Sequence, residues 1–134
     1  MEMKLELVTV PVSDIDRAKE FYLAAGFVLD HDKTVTDGLR FVQMTPPGSA
    51  CSIAFGAGLT EMAPGTLDNM QMVVADADAI HAELMNRGVQ VNGVDDQPWG
   101  RFVYFADPDG NRWALQELPK WALGAGGSGE NPYV

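Results

Sequence analysis

A chain of 134 residues with 46% hydrophobic and 21% charged side chains fits one compact domain of about 100 to 150 residues. That composition is too ordinary for a disordered or membrane-spanning protein. Nineteen acidic against nine basic residues leave a net charge of −10, which repels phosphate backbones and anionic lipid surfaces, so neither nucleic acid nor a membrane is an expected partner.

In chain order, Met1-Glu2-Met3-Lys4-Leu5-Glu6 mixes charges and lacks an apolar signal core, which argues against export. Leu5 to Val12 alternates as a strand, with Val8, Val10 and Val12 on one face and Leu7 and Thr9 on the other. Ser13 and Asp14 can accept hydrogen bonds from a following helix, whose core stripe is Ile15, Ala18, Tyr22 and Ala25. Gly26 ends that helix in a left-handed position, and Phe27 folds back on its last turn. Strands follow near Phe27 to Asp32, Leu39 to Met44 and Ala50 to Phe55, the last two joined by the turn Thr45-Pro46-Pro47-Gly48. Cys51, the lone cysteine, excludes an internal disulfide framework, and its apolar run points to a buried, inert thiol in a reducing cytoplasm.

The order then recurs. Met70, Met72 and Val74 face one side of a strand, Asp76 caps, Ala77, Ile80 and Leu84 form the helix stripe, and Gly88 with Val89 ends it. Strands follow near Val89 to Val94, Arg101 to Ala106 and Arg112 to Glu117, the last two joined by Asp107-Pro108-Asp109-Gly110. A shift of 62 positions superposes Asp14 on Asp76, Gly26 on Gly88, Gly38 on Gly100, Pro46 on Pro108 and Gly48 on Gly110 without a gap. The predicted fold is α+β: two tandem βαβββ units, about residues 4–58 and 66–118, within a single domain spanning 1–118. Residues 119–134, with Gly124-Ala125-Gly126-Gly127-Ser128-Gly129, read as a flexible tail anchored only by Trp121. A ligand is expected between the halves.

Val12-Ser13-Asp14-Ile15-Asp16-Arg17-Ala18-Lys19-Glu20-Phe21-Tyr22, then Gly26-Phe27, and later Phe105-Ala106-Asp107-Pro108-Asp109-Gly110-Asn111, resemble the vicinal oxygen chelate superfamily. Its members include glyoxalase I, extradiol dioxygenases, fosfomycin resistance proteins and bleomycin-binding proteins. The resemblance covers about residues 4 to 118. It implies a curled mixed sheet around a central cleft, a homodimer, and in the metalloenzymes a divalent cation held by His or Gln on the first strand and Glu on the last strand of each unit. The corresponding positions here are Leu7, Ser52, Asn69 and Ala114. These lack the imidazole and carboxylate donors that such cations require, so no metal and no cofactor are expected. His31, in Asp30-His31-Asp32, and His81, on the polar side of the second helix, do not rescue a site, because adjacent strand residues alternate faces.

Strand parity places Thr9, Ser52, Asn69, Gln71 and Gln116 on the cleft side, a surface of hydroxyl and amide groups suited to a small aromatic or anionic molecule. Trp99 and Arg101, just before the seventh strand, are expected to cap the ligand by stacking and ion pairing. Trp99 as a core plug is the competing reading. The direction of Tyr104 depends on whether a bulge at Gly110 shifts its parity. Two functions remain: a metal-independent binding protein of the bleomycin-resistance kind, or a divergent lyase, isomerase or dioxygenase using other ligands or oxyanion stabilisation by Arg101 or Tyr104.

Overall fold

The computed structural model describes residues 1–122. Its elements run β1 (Leu7–Thr9), α1 (Ile15–Ala24), β2 (Val28–Thr36), β3 (Leu39–Thr45), β4 (Ser52–Ala57), β5 (Met70–Val73), α2 (Ala77–Asn86), β6 (Asp95–Gln97), β7 (Gly100–Ala106) and β8 (Arg112–Glu117). A 3-10 turn, Lys120–Ala122, closes the described chain and carries the half-buried Trp121. The glycine-rich remainder of the expected tail, from residue 123, lies outside the described residues.

The strands form two mixed four-stranded sheets, ordered β1-β4-β3-β2 and β5-β8-β7-β6, so each repeat is a βαβββ unit. In both, the first strand pairs in parallel with the last, Leu7 opposite Ser52 and Gln71 opposite Ala114. The helix supplies the crossover that a parallel pair needs. The compact units, however, are not the sequence repeats: Met1–Asp68 takes in Ala106–Arg112, while Asn69–Phe105 continues into the chain from Trp113.

Both helices begin and end as their sequences dictate. The Asp14 carboxylate accepts from the Arg17 amide and the Asp76 carboxylate from the Ala79 amide, each at 3.1 Å. Gly26 (φ 102°) and Gly88 (φ 80°) are left-handed, and the next amide returns to the helix, Phe27 N to Tyr22 O and Val89 N to Leu84 O, each at 2.9 Å. Phe27 and Val89 are buried there.

In the first unit, α1 covers a core of Tyr22, Val42, Met44, Ile53 and Phe55. A polar knot fixes it. The Tyr22 hydroxyl donates to Asp107 Oδ2 at 2.8 Å; Asn111 Nδ2 donates to Pro11 O and to Asp107 Oδ2, each at 2.8 Å; and Asn111 Oδ1 accepts from the Leu67 amide at 3.0 Å. Asp109 accepts from the Ser13 hydroxyl at 2.5 Å, with Arg17 3.4 Å away. Asp107 and Asn111 are almost wholly buried, so each partner offsets a desolvation cost that an unpaired group would leave standing. The Asp-Pro-Asp-Gly-Asn run is thus a structural anchor as well as a turn.

Three expectations need correction. The stretch Val89 to Val94 is not a strand: Val89 is spent on the helix stop, and pairing starts only at Asp95, opposite Phe102. Cys51 is half-buried rather than sealed in the core. The first turn closes one residue later than predicted, Ser49 N to Pro46 O at 3.0 Å, with Gly48 at φ 76° in its third position. The second closes from Gly110 N to Asp107 O at 2.9 Å. Pro47 followed by a left-handed Gly48 favours a type II turn, whereas Asp109 in the equivalent place suits type I. That offset puts β7 one residue out of step with β3. Val42 and Met44 face α1, but it is Val103 and Phe105 that face α2's side of the second sheet.

Candidate functional site

Each sheet has a face turned away from its helix. In the first unit, Asp16 and Asp32 bind Arg40 on the helix side, so Phe41, Gln43 and Thr45 point the other way. Register aligns Thr9, Ala54, Gln43 and His31 across the four strands of this open face. Beside that row, Ser52 and Thr45 approach to 2.6 Å between hydroxyls, and the Thr45 hydroxyl donates to the Asp30 carboxylate.

Asp30 reaches this face because β2 carries a bulge between Leu29 and His31. The bulge overrides simple alternation, and Asp30 and His31 both belong to the open face. Asp32 does not: it is opposite Val42 and receives Lys19 at 2.8 Å and Arg40 at 2.9 and 3.0 Å. Hydrogen bonds from Arg40, then Lys19, hold its carboxyl well below the ordinary aspartate value.

In the second unit, Arg101 sits on the helix side. Its guanidinium grips Asp78, in the first turn of α2, at 2.8 and 3.1 Å, and also meets Asp96 at 2.6 Å and Glu117 at 3.7 Å. Glu117 in turn accepts from the Ala77 amide at 2.8 Å. Asp78 and then Asp96 keep Arg101 charged, and Arg101 lowers the Asp78 carboxyl. This commitment separates Arg101 from Trp99, which is 53% exposed in the β6–β7 turn and is therefore no core plug. The Trp99 carbonyl accepts from Gln116 Nε2 at 2.9 Å, so those two expected site residues do meet.

The open face of this sheet carries Gln71 opposite Ala114 and Gln116 opposite Val73. Asn69, left-handed at φ 61°, lies within 3.4 Å of Gln71 Nε2 through its side-chain oxygen. The turn offset sends Tyr104 to the open face, stacked on Phe102 with rings 5.9 Å apart and only 3° from parallel. Its hydroxyl donates to Asp95 at 3.2 Å, and Gln97 Nε2 donates to the same carboxylate at 3.0 and 3.1 Å. Burial and then Asp95 raise the Tyr104 phenol. Arg112 is bound to Asp68 at 2.7 and 2.8 Å.

Sequence reasoning singled out Thr9, Ser52, Asn69, Gln71, Trp99, Arg101 and Gln116, and missed Thr45, Gln43, Phe102 and Asp95. Thr45 looked like turn residue; only the later closure of the Pro46 turn returns it to the sheet. In sequence Asp30 reads only as a candidate cation ligand beside His31, and a bulge in an edge strand has no signal in residue types.

A divalent cation does not fit where the metalloenzymes of this fold would hold one. Ser52's hydroxyl is engaged with Thr45 across from an apolar Leu7, and register sets Gln71 rather than Asn69 opposite Ala114, which has no donor atom, so one neutral amide would stand without the carboxylates such a cation needs. Among the described residues no three His, Cys, Asp or Glu side chains gather as a cation would need. No helix of the described chain is long and apolar enough to cross a membrane.

Solved structures give the context. The chain resembles TnmS3, an antibiotic binding protein from Streptomyces sp. CB03234, at 37% identity and TM-score 0.78, over 88% of this chain and 98% of that one. A glyoxalase/bleomycin resistance protein from the same strain shares 38% identity, TM-score 0.74, over 85% of this chain and 100% of that one. A superfamily member from Sphaerobacter thermophilus DSM 20745 shares 31%, TM-score 0.74, over 87% and 98%. No curated protein matches. The Glyoxalase/Bleomycin resistance protein/Dioxygenase profile matches residues 4–115. With its two βαβββ units and that match across most of its length, the chain belongs to the glyoxalase/bleomycin resistance protein/dioxygenase superfamily.

Proposed function

We propose that this protein binds an antibiotic-like aromatic or anionic small molecule on the open sheet faces and holds it without a divalent metal and without chemical change. The observation that carries this reading is the 37% identity, over nearly the whole chain, to an antibiotic binding protein. The chemistry of the faces supports it. Gln71, Gln116 and Asn69 offer amides, Thr9 and Ser52 hydroxyls, and the exposed Trp99 a flat apolar surface, which is the mixture of walls and few polar groups that small-molecule recognition uses. Arg101 serves indirectly here: by tying the β6–β7 hairpin to α2 it fixes the turn that carries Trp99.

The test is a thermal-shift screen of aromatic antibiotics, bleomycin included, followed by calorimetry on the compounds that raise the melting temperature. A ligand at a hundredfold excess over its Kd stabilises the native state by about 2.7 kcal/mol, which such a screen reads easily. Gln71→Ala and Trp99→Ala should each weaken the best compound. Absence of any stabilising compound, or unchanged affinity in both variants, defeats the proposal. A homodimer working in the cytoplasm belongs to the same proposal, and light scattering checks its stoichiometry.

A further inference from the structure

The hydroxyls of Thr45 and Ser52 are ordered by Asp30, and the order has a direction. A threonine hydroxyl has one proton. Thr45 gives that proton to the Asp30 carboxylate, which as an ionised group is the strongest acceptor within its reach. The contact of 2.6 Å between Thr45 and Ser52 must then run from the Ser52 hydroxyl to the Thr45 oxygen. Ser52 has no second proton to offer. The Thr45 contact is made to Asp30 Oδ2, and Asp30 is an exposed residue, so its carboxylate keeps lone pairs open to a ligand. The row from the almost wholly buried Ser52 to the exposed Asp30 therefore has lone pairs and no protons to give a ligand at its outer end, although two of its three members are hydroxyl residues that would ordinarily serve either role.

We infer that the Asp30–Thr45–Ser52 relay selects ligands that carry a hydrogen-bond donor, a phenol, hydroxyl or ammonium group, and rejects the same molecule when that donor is alkylated. The inference rests on the proposed binding function and narrows its ligand class. The preference arises because a ligand without the donor covers the exposed carboxylate, displaces its water and gives no hydrogen bond in return.

The test uses a matched pair, 2-naphthol and 2-methoxynaphthalene, with binding followed by ligand-observed NMR and Trp fluorescence on the full chain. The wild-type protein should prefer the naphthol by about tenfold, the worth of a hydrogen bond to a charged acceptor. Asp30→Asn places an amide donor at the outer end and should bring the ratio close to one; circular dichroism and melting temperature confirm that this exposed position still folds. Thr45→Val, which cuts the relay, should also shrink the preference. If both compounds bind but the ether does so as well as the naphthol, or if Asp30→Asn leaves the ratio intact, the relay inference falls while the binding function stands. If neither compound binds, the aromatic-binding reading falls and the inference with it.

Discussion

The two helices begin with the same Asp-x-Asp sequence, and in each a strand arginine grips the second aspartate, Arg40 on Asp16 and Arg101 on Asp78, yet only α1 has a buried mooring as well. In the first unit a buried polar knot ties Tyr22, in the last turns of α1, and Pro11, ahead of its start, to Asp107 and Asn111, with donors and acceptors satisfied far from water. The start of α2 is held in the second unit by half-exposed charges, Arg101 with Asp78 and Glu117 with the Ala77 amide. The two units thus differ in the added knot. The buried mooring contributes rigidity because breaking it strands polar groups; the exposed one is screened by water and salt and contributes little.

The sharpest way to break this comparison is to disturb the knot. Asn111→Ala leaves the Leu67 amide without its acceptor and removes one of the two donors to Pro11 O, which keeps the Gly65 amide, and should cost about 1 to 3 kcal/mol in urea unfolding. Gly65→Ala should cost at least as much, about 3 kcal/mol or more, because an added Cβ would stand 2.0 Å from the Asp109 carbonyl oxygen. Arg101→Ala should lower the melting temperature only slightly, and less so in high salt. Equal losses at Asn111 and Arg101 would erase the distinction.

Gly88→Ala provides a smaller, calibrated effect. Its Cβ would meet nothing within 4 Å, so only the left-handed backbone resists, worth about 1 to 2 kcal/mol. A neutral result would mean that the helix end relaxes.

The acid limb of stability separates the charged contacts further. The Asp32 carboxyl is held below its ordinary value of 3.8 by Arg40 and Lys19, so its contribution is fully present above that value and is lost as pH falls through its lower folded value. Asp32→Asn should flatten the stability profile below about pH 4, with little change in shape at neutral pH. An unchanged acid slope would show that Asp32 is not held low.

Trp99→Ala should change folding stability least of all, within about 0.5 kcal/mol, as expected for a largely exposed side chain. Its effect should appear in ligand affinity instead. A large stability loss with unaltered binding would move Trp99 out of the proposed site.

Much of the fold was legible because local rules agreed with the global one. Asp14, Asp76, Gly26 and Gly88 are demanded by helix ends whatever surrounds them, and β8 begins and ends at Arg112 and Glu117 as its alternation requires. What escaped was decided by one-residue offsets. The Pro46 turn closes at Ser49, the bulge lies at Asp30, and the Val89 to Val94 pattern yields to the helix stop; each of these moves a side chain to another face while hardly altering the sequence pattern. Thr9, Ser52, Gln71 and Gln116 were placed on open faces by parity alone. Arg101 was not, because its parity follows the offset of β7 and its partner Asp78 is distant in sequence.

The central claim, that the protein holds a small molecule without metal and without transforming it, is tested most directly by one titration. Chelator-treated protein is titrated calorimetrically with the best compound from the screen, and the recovered compound is weighed by mass spectrometry. The account predicts an affinity that is the same with and without chelator and a ligand recovered intact at stoichiometric loading. Binding that appears only when a divalent metal is restored, or a ligand returned with altered mass, would contradict it.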